Sequence, residues 1–170
     1  MNPTLYFFTS SFPFSFDEPF IENEIIFLSK EFDRINIIPL LGEPVQKISV
    51  PENCIVFQPI IKSKKQQYIK ALLGYKALNL YLGDLIKNKA FFSFDKIKRN
   101  FISYCQSNNL LHSRQIKDIL SQINKNDIMY FYWGKGSANL IPFINNIHAK
   151  KIIRFHGGDL YDYRYNGYLP

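Results

Sequence analysis

The sequence predicts an α/β fold: a doubly wound, mostly parallel sheet with helices on both faces and a helical segment in the middle. Three observations carry this. The chain opens with a short apolar run at residues 5–9, then a helical pattern, then a second apolar run at 35–41. It closes the same way, with strand patterns at 128–132 and 151–155 around a helical pattern at about 137–148. Both late strands run into polar, glycine-bearing loops, Trp133-Gly134-Lys135-Gly136-Ser137 and His156-Gly157-Gly158-Asp159. Open α/β sheets receive ligands at the carboxyl ends of their strands, and glycine lets a ligand approach the backbone closely.

The elements between follow from periodicity. Residues 5–9 lack alternation, as in a central parallel strand covered on both faces. The loop at 10–19 combines two prolines with Phe12, Phe14 and Phe16. A helix then starts near Phe20, with Ile21, Ile25, Leu28 and Phe32 on one face and Glu22, Glu24 and Lys30 mostly outside. Residues 42–53 read as loop and 55–59 as a third strand. From Asn53 to Gly83 no acidic residue occurs, while Lys62, Lys64, Lys65, Lys70 and Lys76 do. Ile69, Leu72, Leu73, Ala77 and Leu80 recur there at helical spacing, which predicts a basic amphipathic helix. Two further helices are expected at about 95–106 and 113–123, and no internal repeat or low-complexity tract is visible.

Composition narrows the function classes. At 170 residues, with 46% hydrophobic residues, the chain is long enough for a single domain with one buried core, and it is not a disordered tail. The aromatic share of 16% is high, and much of it is Phe and Tyr in loops, as on a surface that handles sugars or lipids. A net charge of +7 suits an anionic partner such as a sugar nucleotide or an anionic membrane surface. A nucleic-acid module is not expected, because the basic residues are not interleaved with aromatics as in a single-strand platform. Cys54 and Cys105 are far apart, so a reducing cytoplasm fits better than a disulfide framework. No signal peptide is expected: residues 1–4 carry no basic side chain, and the apolar run at 5–8 is too short. No stretch reaches the length of a membrane-spanning helix. His112, His148 and His156 are not spaced as ligands and no Asp-x-Asp occurs, so no metal is expected.

Several of these segments together resemble one family. Leu5-Tyr6-Phe7-Phe8-Thr9-Ser10-Ser11-Phe12-Pro13 with Phe20-Ile21-Glu22-Asn23-Glu24-Ile25 resembles the opening of bacterial glycosyltransferases of the GT-B fold, in the large retaining group called family 4. Tyr130-Phe131-Tyr132-Trp133, Arg154-Phe155-His156-Gly157-Gly158-Asp159-Leu160-Tyr161 and Tyr168-Leu169-Pro170 are similar to that family's later segments, in the same order. The resemblance implies that residues 1–170 form the single N-terminal, Rossmann-like, acceptor-side domain of a two-domain enzyme. The C-terminal, donor-binding domain is then absent, because the family's donor-binding glutamate pair has no counterpart here. Such a half should not transfer sugar alone. No cofactor is expected in this domain. A nucleotide-sugar donor is expected in the full-length enzyme, with a glycan or lipid-linked acceptor, in the cytoplasm or on the inner face of the plasma membrane.

The resemblance assigns His156 a role, and the chemistry and position of other residues suggest theirs. His156 is the expected catalytic residue, beside the donor sugar, where an imidazole hydrogen-bonds a hydroxyl and helps hold the transition state. Asp159 is expected to accept hydrogen bonds from sugar hydroxyls or to orient its loop. Arg154 lies two residues before His156, on the same side of the strand, and either pairs with Asp159 or meets an acceptor phosphate. Gly157 and Gly158 allow close backbone approach. Trp133 is a candidate sugar platform or a structural residue at its strand end, and Phe12 and Phe14 either stack on a sugar or grip a lipid, or pack the core. Glu22 and Glu24 sit where carboxylates favour the helix dipole. The lysine-rich stretch 62–82 is either a solvated face over a core stripe or a surface for contact with an anionic membrane. The competing reading is a non-catalytic α/β module that binds a polysaccharide or another anionic partner.

Overall fold

A computed structural model describes residues 3–63, 65–68, 74–160, 168 and 170. Its centre is a five-stranded, all-parallel sheet in the order β3-β2-β1-β4-β5. The strands are β1 (Leu5–Thr9), β2 (Ile35–Pro39), β3 (Cys54–Val56), β4 (Ile128–Phe131) and β5 (Lys150–Ile153). The chain builds outward from β1 through β2 to β3, then returns to β1's other side for β4 and β5. The fold is therefore doubly wound, and the order reverses between β1 and β4. That reversal opens a crevice beyond the carboxyl ends of these two strands.

Every residue of β1 and of β2 is buried, because the sheet is covered on both faces. On one face, Leu5, Phe7, Ile35 and Ile37 pack with Ile21 and Ile25 of α1 (Pro19–Glu31). On the other, Tyr6, Phe8, Ile38 and Leu40 pack with Leu110 of α3 (Phe94–His112) and with Ile116 and Ile119 of α4 (Arg114–Gln122). Alternate strand residues thus feed opposite cores. Pro19 stands at the start of α1, where a missing N–H costs nothing and its fixed φ suits the helix. Burial of Ile21 and Ile25 stabilises the α1 face by about 1.5–3 kcal/mol each.

α3 runs on to His112, past the expected end near 106, and four other elements differ more from the sequence expectation. The third strand ends at Val56 rather than 59; beyond it the N–H groups of Phe57 and Ile60 still donate to Ile37 and Pro39, but Pro59 has no N–H to extend the ladder. Residues 137–148 are not an α-helix: Gly136–Phe143 is 3₁₀, and Pro142 inside it lacks the donor that an α-helical turn needs. β5 was expected at 151–155. It is a half-exposed edge strand that ends at Ile153, with Ile152, Ile153 and Phe155 exposed.

The fourth difference is the middle. Of the expected amphipathic helix, Lys64 and 69–73 (with Ile69, Lys70, Leu72 and Leu73) lie outside the described residues. Residues 65–68 are helical, and α2 starts only at Leu78 and runs to Lys87. Ala77 is buried as expected, but Leu80 is exposed. A 3₁₀ turn, Ala90–Phe92, leads from α2 into α3. The helices here are joined by polar contacts: Tyr81 Oη meets Ser107 Oγ at 2.7 Å, Asn100 donates to the Tyr81 carbonyl at 3.1 Å, and Asn108 donates to the Gly74 carbonyl at 3.1 Å.

Candidate functional site

A cleft of about 730 Å³ lies at the carboxyl ends of β1 and β2, beside the loop after β4. Phe8 and Thr9 end β1 at its base, and Ser137 Oγ donates to the Thr9 carbonyl there at 3.4 Å. The β1–α1 loop supplies Ser10, Ser11 and Phe14, the segment after β2 supplies Leu40, Leu41 and Gly42, and the β4 loop supplies Trp133 and Lys135. α3 closes one side with Arg99, Ile102, Ser103 and Gln106, near Tyr168. Aromatic faces, hydroxyls and basic groups share one concavity, the mixture expected of a site for a polar ligand with apolar faces.

The wall nearest β1 is organised by Glu18. Its side chain is buried, and its Oε2 accepts the N–H groups of Ser11 at 2.5 Å and Phe12 at 2.7 Å, while Oε1 accepts that of Ser10 at 3.2 Å. The Trp133 indole Nε1–H also donates to Oε1. A doubly wound fold often turns N–H groups of this first loop toward a bound anion. Here the chain's own carboxylate takes them. Glu18 stands just before α1, where Ser, Thr, Asp or Asn usually cap the helix, yet it makes no side-chain cap bond and folds back onto the loop. Sequence reasoning missed this residue; the available signal was a glutamate in that pre-helix position beside a β1 loop with no glycine.

The site residues expected from the sequence divide into two groups. Trp133 and Phe14 line the cleft. Phe14 is only 2% exposed, and Phe12 has no exposed surface and packs against the α1 core. Of the two roles open to Phe12, stacking on a ligand is therefore corrected and core packing holds: it backs the loop from inside. The second group, Arg154, His156, Gly157 and Asp159, with Gly158 beside them in the chain, stands apart: none of those four lines the cleft. These residues gather at the end of β5, where Gly157–Leu160 forms the one-turn helix α5.

His156 connects the two groups. Its ring lies against Trp133, with centroids 4.1 Å apart, and its Nε2 is 2.9 Å from the Tyr132 carbonyl oxygen. A carbonyl oxygen has only lone pairs, so Nε2 carries the hydrogen, and the neutral ring holds its lone pair at Nδ1. Asp159 clips the β4 and β5 loops together: its Oδ2 accepts the N–H of His156 at 3.1 Å and of Gly134 at 3.4 Å. Lys135 Nζ lies 3.7 Å from the buried Oδ1, an ion pair too long for a hydrogen bond. Of the two roles expected for Asp159, this geometry serves loop orientation.

Arg154 does not pair with Asp159. Its guanidinium meets Glu24 of α1 and lies 5.0 Å from the centre of the Tyr132 ring. Glu24 also accepts from Tyr130 Oη at 2.9 Å. Burial, with this carboxylate holding its proton, pushes the Tyr130 hydroxyl up to about 12. The Arg154–Tyr130–Glu24 group thus ties β5 and β4 to α1. Among the described residues, no group of three or more His, Cys, Asp or Glu side chains is placed to hold a metal ion. No helix among them is long and apolar enough to cross a membrane.

Comparison with known proteins found no match: no family model, no curated protein and no solved structure matches this chain.

Proposed function

We propose that this chain is the acceptor-side domain of a glycosyltransferase that moves a sugar from a nucleotide-sugar donor to a glycan or lipid-linked acceptor in bacterial surface polysaccharide synthesis, on the cytoplasmic side. The observation that carries the reading is the cleft beyond β1 and β4. It lies where an open α/β sheet receives its ligand, and it offers Trp133, Leu41 and Ile102 as apolar faces beside Ser10, Ser103, Gln106 and Arg99. Sugars present both apolar ring faces and dense hydroxyls, and this lining answers both. Retention at the anomeric carbon comes from the sequence resemblance alone. The nucleotide sugar would be held mainly by a second domain, so this chain alone would bind acceptor without turnover.

His156 supports the same reading through its neighbour. Packed on Trp133 with a lone pair at Nδ1, it would accept a hydroxyl hydrogen from a sugar placed between the two domains. One observation favours a second reading, a non-catalytic polysaccharide-binding module: the cleft is formed without His156.

Trp133 is the sole tryptophan, so its emission reports directly on the cleft. Titration of the chain with bacterial surface oligosaccharides should change that emission, and Ser103→Phe should block the response by filling the cleft without adding a second tryptophan. A nucleotide sugar alone should leave it unchanged. Tight binding of the nucleotide sugar without any saccharide response would overturn both readings. Saccharide binding by a natural protein of only this length would select the binding module.

A further inference from the structure

Nearly half of the large apolar side chains that the described fold leaves exposed fall between residues 75 and 101. Leu78, Leu82 and Ile86 follow one another at four-residue spacing along one side of α2, and all three are exposed. Phe91 and Phe92 sit on the 3₁₀ turn with ring centroids 4.2 Å apart. Phe94, Ile97 and Phe101 continue at helical spacing on one face of α3, and all are exposed.

Much of what these helices bury is polar. α3 buries Asn100, Ser103, Ser107, Asn108 and Asn109 beside Cys105 and Leu110, and α2 is held to it through Tyr81. This reverses the usual partition, in which Asn and Ser face water and Phe, Leu and Ile face the core. A hairpin that buries so many polar groups and leaves its large aromatics outside suits an apolar medium on its outer face.

Charge identifies the medium. Lys76, Lys87, Lys89 and Lys98 are exposed along the same segment, against one exposed carboxylate among its described residues, Asp95. Lys89 sits at the tip between α2 and the 3₁₀ turn with a φ of 50°, a left-handed position where glycine is the easier residue. An ammonium is thus kept beside Phe91 and Phe92 at some conformational cost. Protein–protein interface cores are depleted in lysine, whereas helices that lie in a bilayer interface combine lysine with large apolar residues. A second copy docked about a two-fold axis would set these lysines against each other.

We propose that the α2–α3 hairpin docks this protein on an anionic phospholipid bilayer. Phe92 and Phe94, 81% and 80% exposed, enter the boundary between headgroups and acyl chains, and Lys87, Lys89 and Lys98 meet the lipid phosphates. This surface lies at 75–101, largely beyond the 62–82 stretch that lysine content alone singles out. Arg99, Ile102, Ser103 and Gln106 on the opposite side of α3 line the cleft, so the bilayer would lie about one helix diameter, 10–12 Å, from it. The inference does not rest on the sugar chemistry proposed above, and its test uses no sugar.

The test is flotation with vesicles of phosphatidylcholine alone and of phosphatidylcholine mixed with phosphatidylglycerol. The unaltered chain should float with the mixed vesicles only, and less so at high salt. The double substitution Phe92→Ser, Phe94→Ser should keep the urea midpoint and lower the partition coefficient at least about tenfold, from the apolar area withdrawn. Lys89→Gly, which also relieves the left-handed backbone, should lower it about fivefold, as expected for one cation at the membrane surface. No flotation, flotation indifferent to lipid charge, or a double variant that floats like the parent would each overturn the proposal. So would a parent that sediments as a dimer and becomes monomeric on the double substitution.

Discussion

Glu18→Gln tests whether one carboxylate organises the wall of the cleft. The side chain is only 3% exposed, so solvent screens its interactions little. Oε2 accepts from Ser11 and Phe12, and Oε1 accepts from Ser10 and the Trp133 indole. Glutamine has nearly the same shape, but one end is an NH₂. Whichever way the amide turns, its NH₂ faces two N–H donors. Two charge-assisted hydrogen bonds are lost, each of about 1.5–3 kcal/mol, for an expected cost of about 3–6 kcal/mol. With a urea m-value of about 2 kcal/mol/M, the midpoint should fall by about 1.5–3 M. Circular dichroism is the appropriate probe of unfolding, because the substitution also alters the surroundings of the tryptophan. The native-state emission of Trp133 should shift in parallel as its indole loses its acceptor. Glu22→Gln, in the first turn of α1, is the control and should cost no more than about 1 kcal/mol. A Glu18→Gln midpoint within about 0.3 M of the parent, with unchanged emission, would refute the reasoning and leave the loop held by its backbone alone.

Other outcomes follow from the same geometry. Glu24→Gln should cost at most about 1 kcal/mol, since its partner Arg154 is 43% exposed. It should also bring the Tyr130 hydroxyl down from about 12, read by absorbance during alkaline titration, because the carboxylate helps hold that proton. Stability should fall as pH rises from about 9 to 12. Burial raises the Cys54 and Cys105 thiols to about 11 and the Tyr81 and Tyr130 hydroxyls to about 12. The folded chain thus keeps protons there that the unfolded chain releases; the contribution is complete below the unfolded values and lost through the folded ones. Urea midpoints measured across that range check the sign. Gly42→Ala should cost about 1 kcal/mol or more: its φ is +149°, and an added Cβ would lie 3.0 Å from Phe14 Cβ. Its unfolding midpoint, and the saccharide response of Trp133 in the native state, report the two consequences.

The local elements were legible because their causes are local. The all-apolar run of β1, the Pro19 start of α1 and the period of Ile21 and Ile25 are written in neighbouring residues, and so was the strand–helix alternation that made the sheet parallel and doubly wound. The glycine-bearing ends of β4 and β5 were also visible, and they do lie together, with Asp159 bonded to the N–H of Gly134. Pro142 alone was enough to forbid the α-helix expected after Gly136, though apolar spacing pointed the other way.

Contacts across long stretches of chain were decided only by the fold. Nothing near Glu18 in sequence shows that its carboxylate meets an indole 115 positions later, or that Arg154 finds Glu24 rather than Asp159. A carboxylate carries no directional preference in sequence; which donors it accepts depends on which strand ends the sheet order brings together. Phe12 and Phe92 are the same residue type, yet one is in the core and the other is 81% exposed. Composition supplied the aromatics and the lysines, and the packing of α2 and α3 through their polar faces turned them outward together. Hydropathy is a property of single residues, whereas the face of an element that meets solvent is set by what packs against the other side.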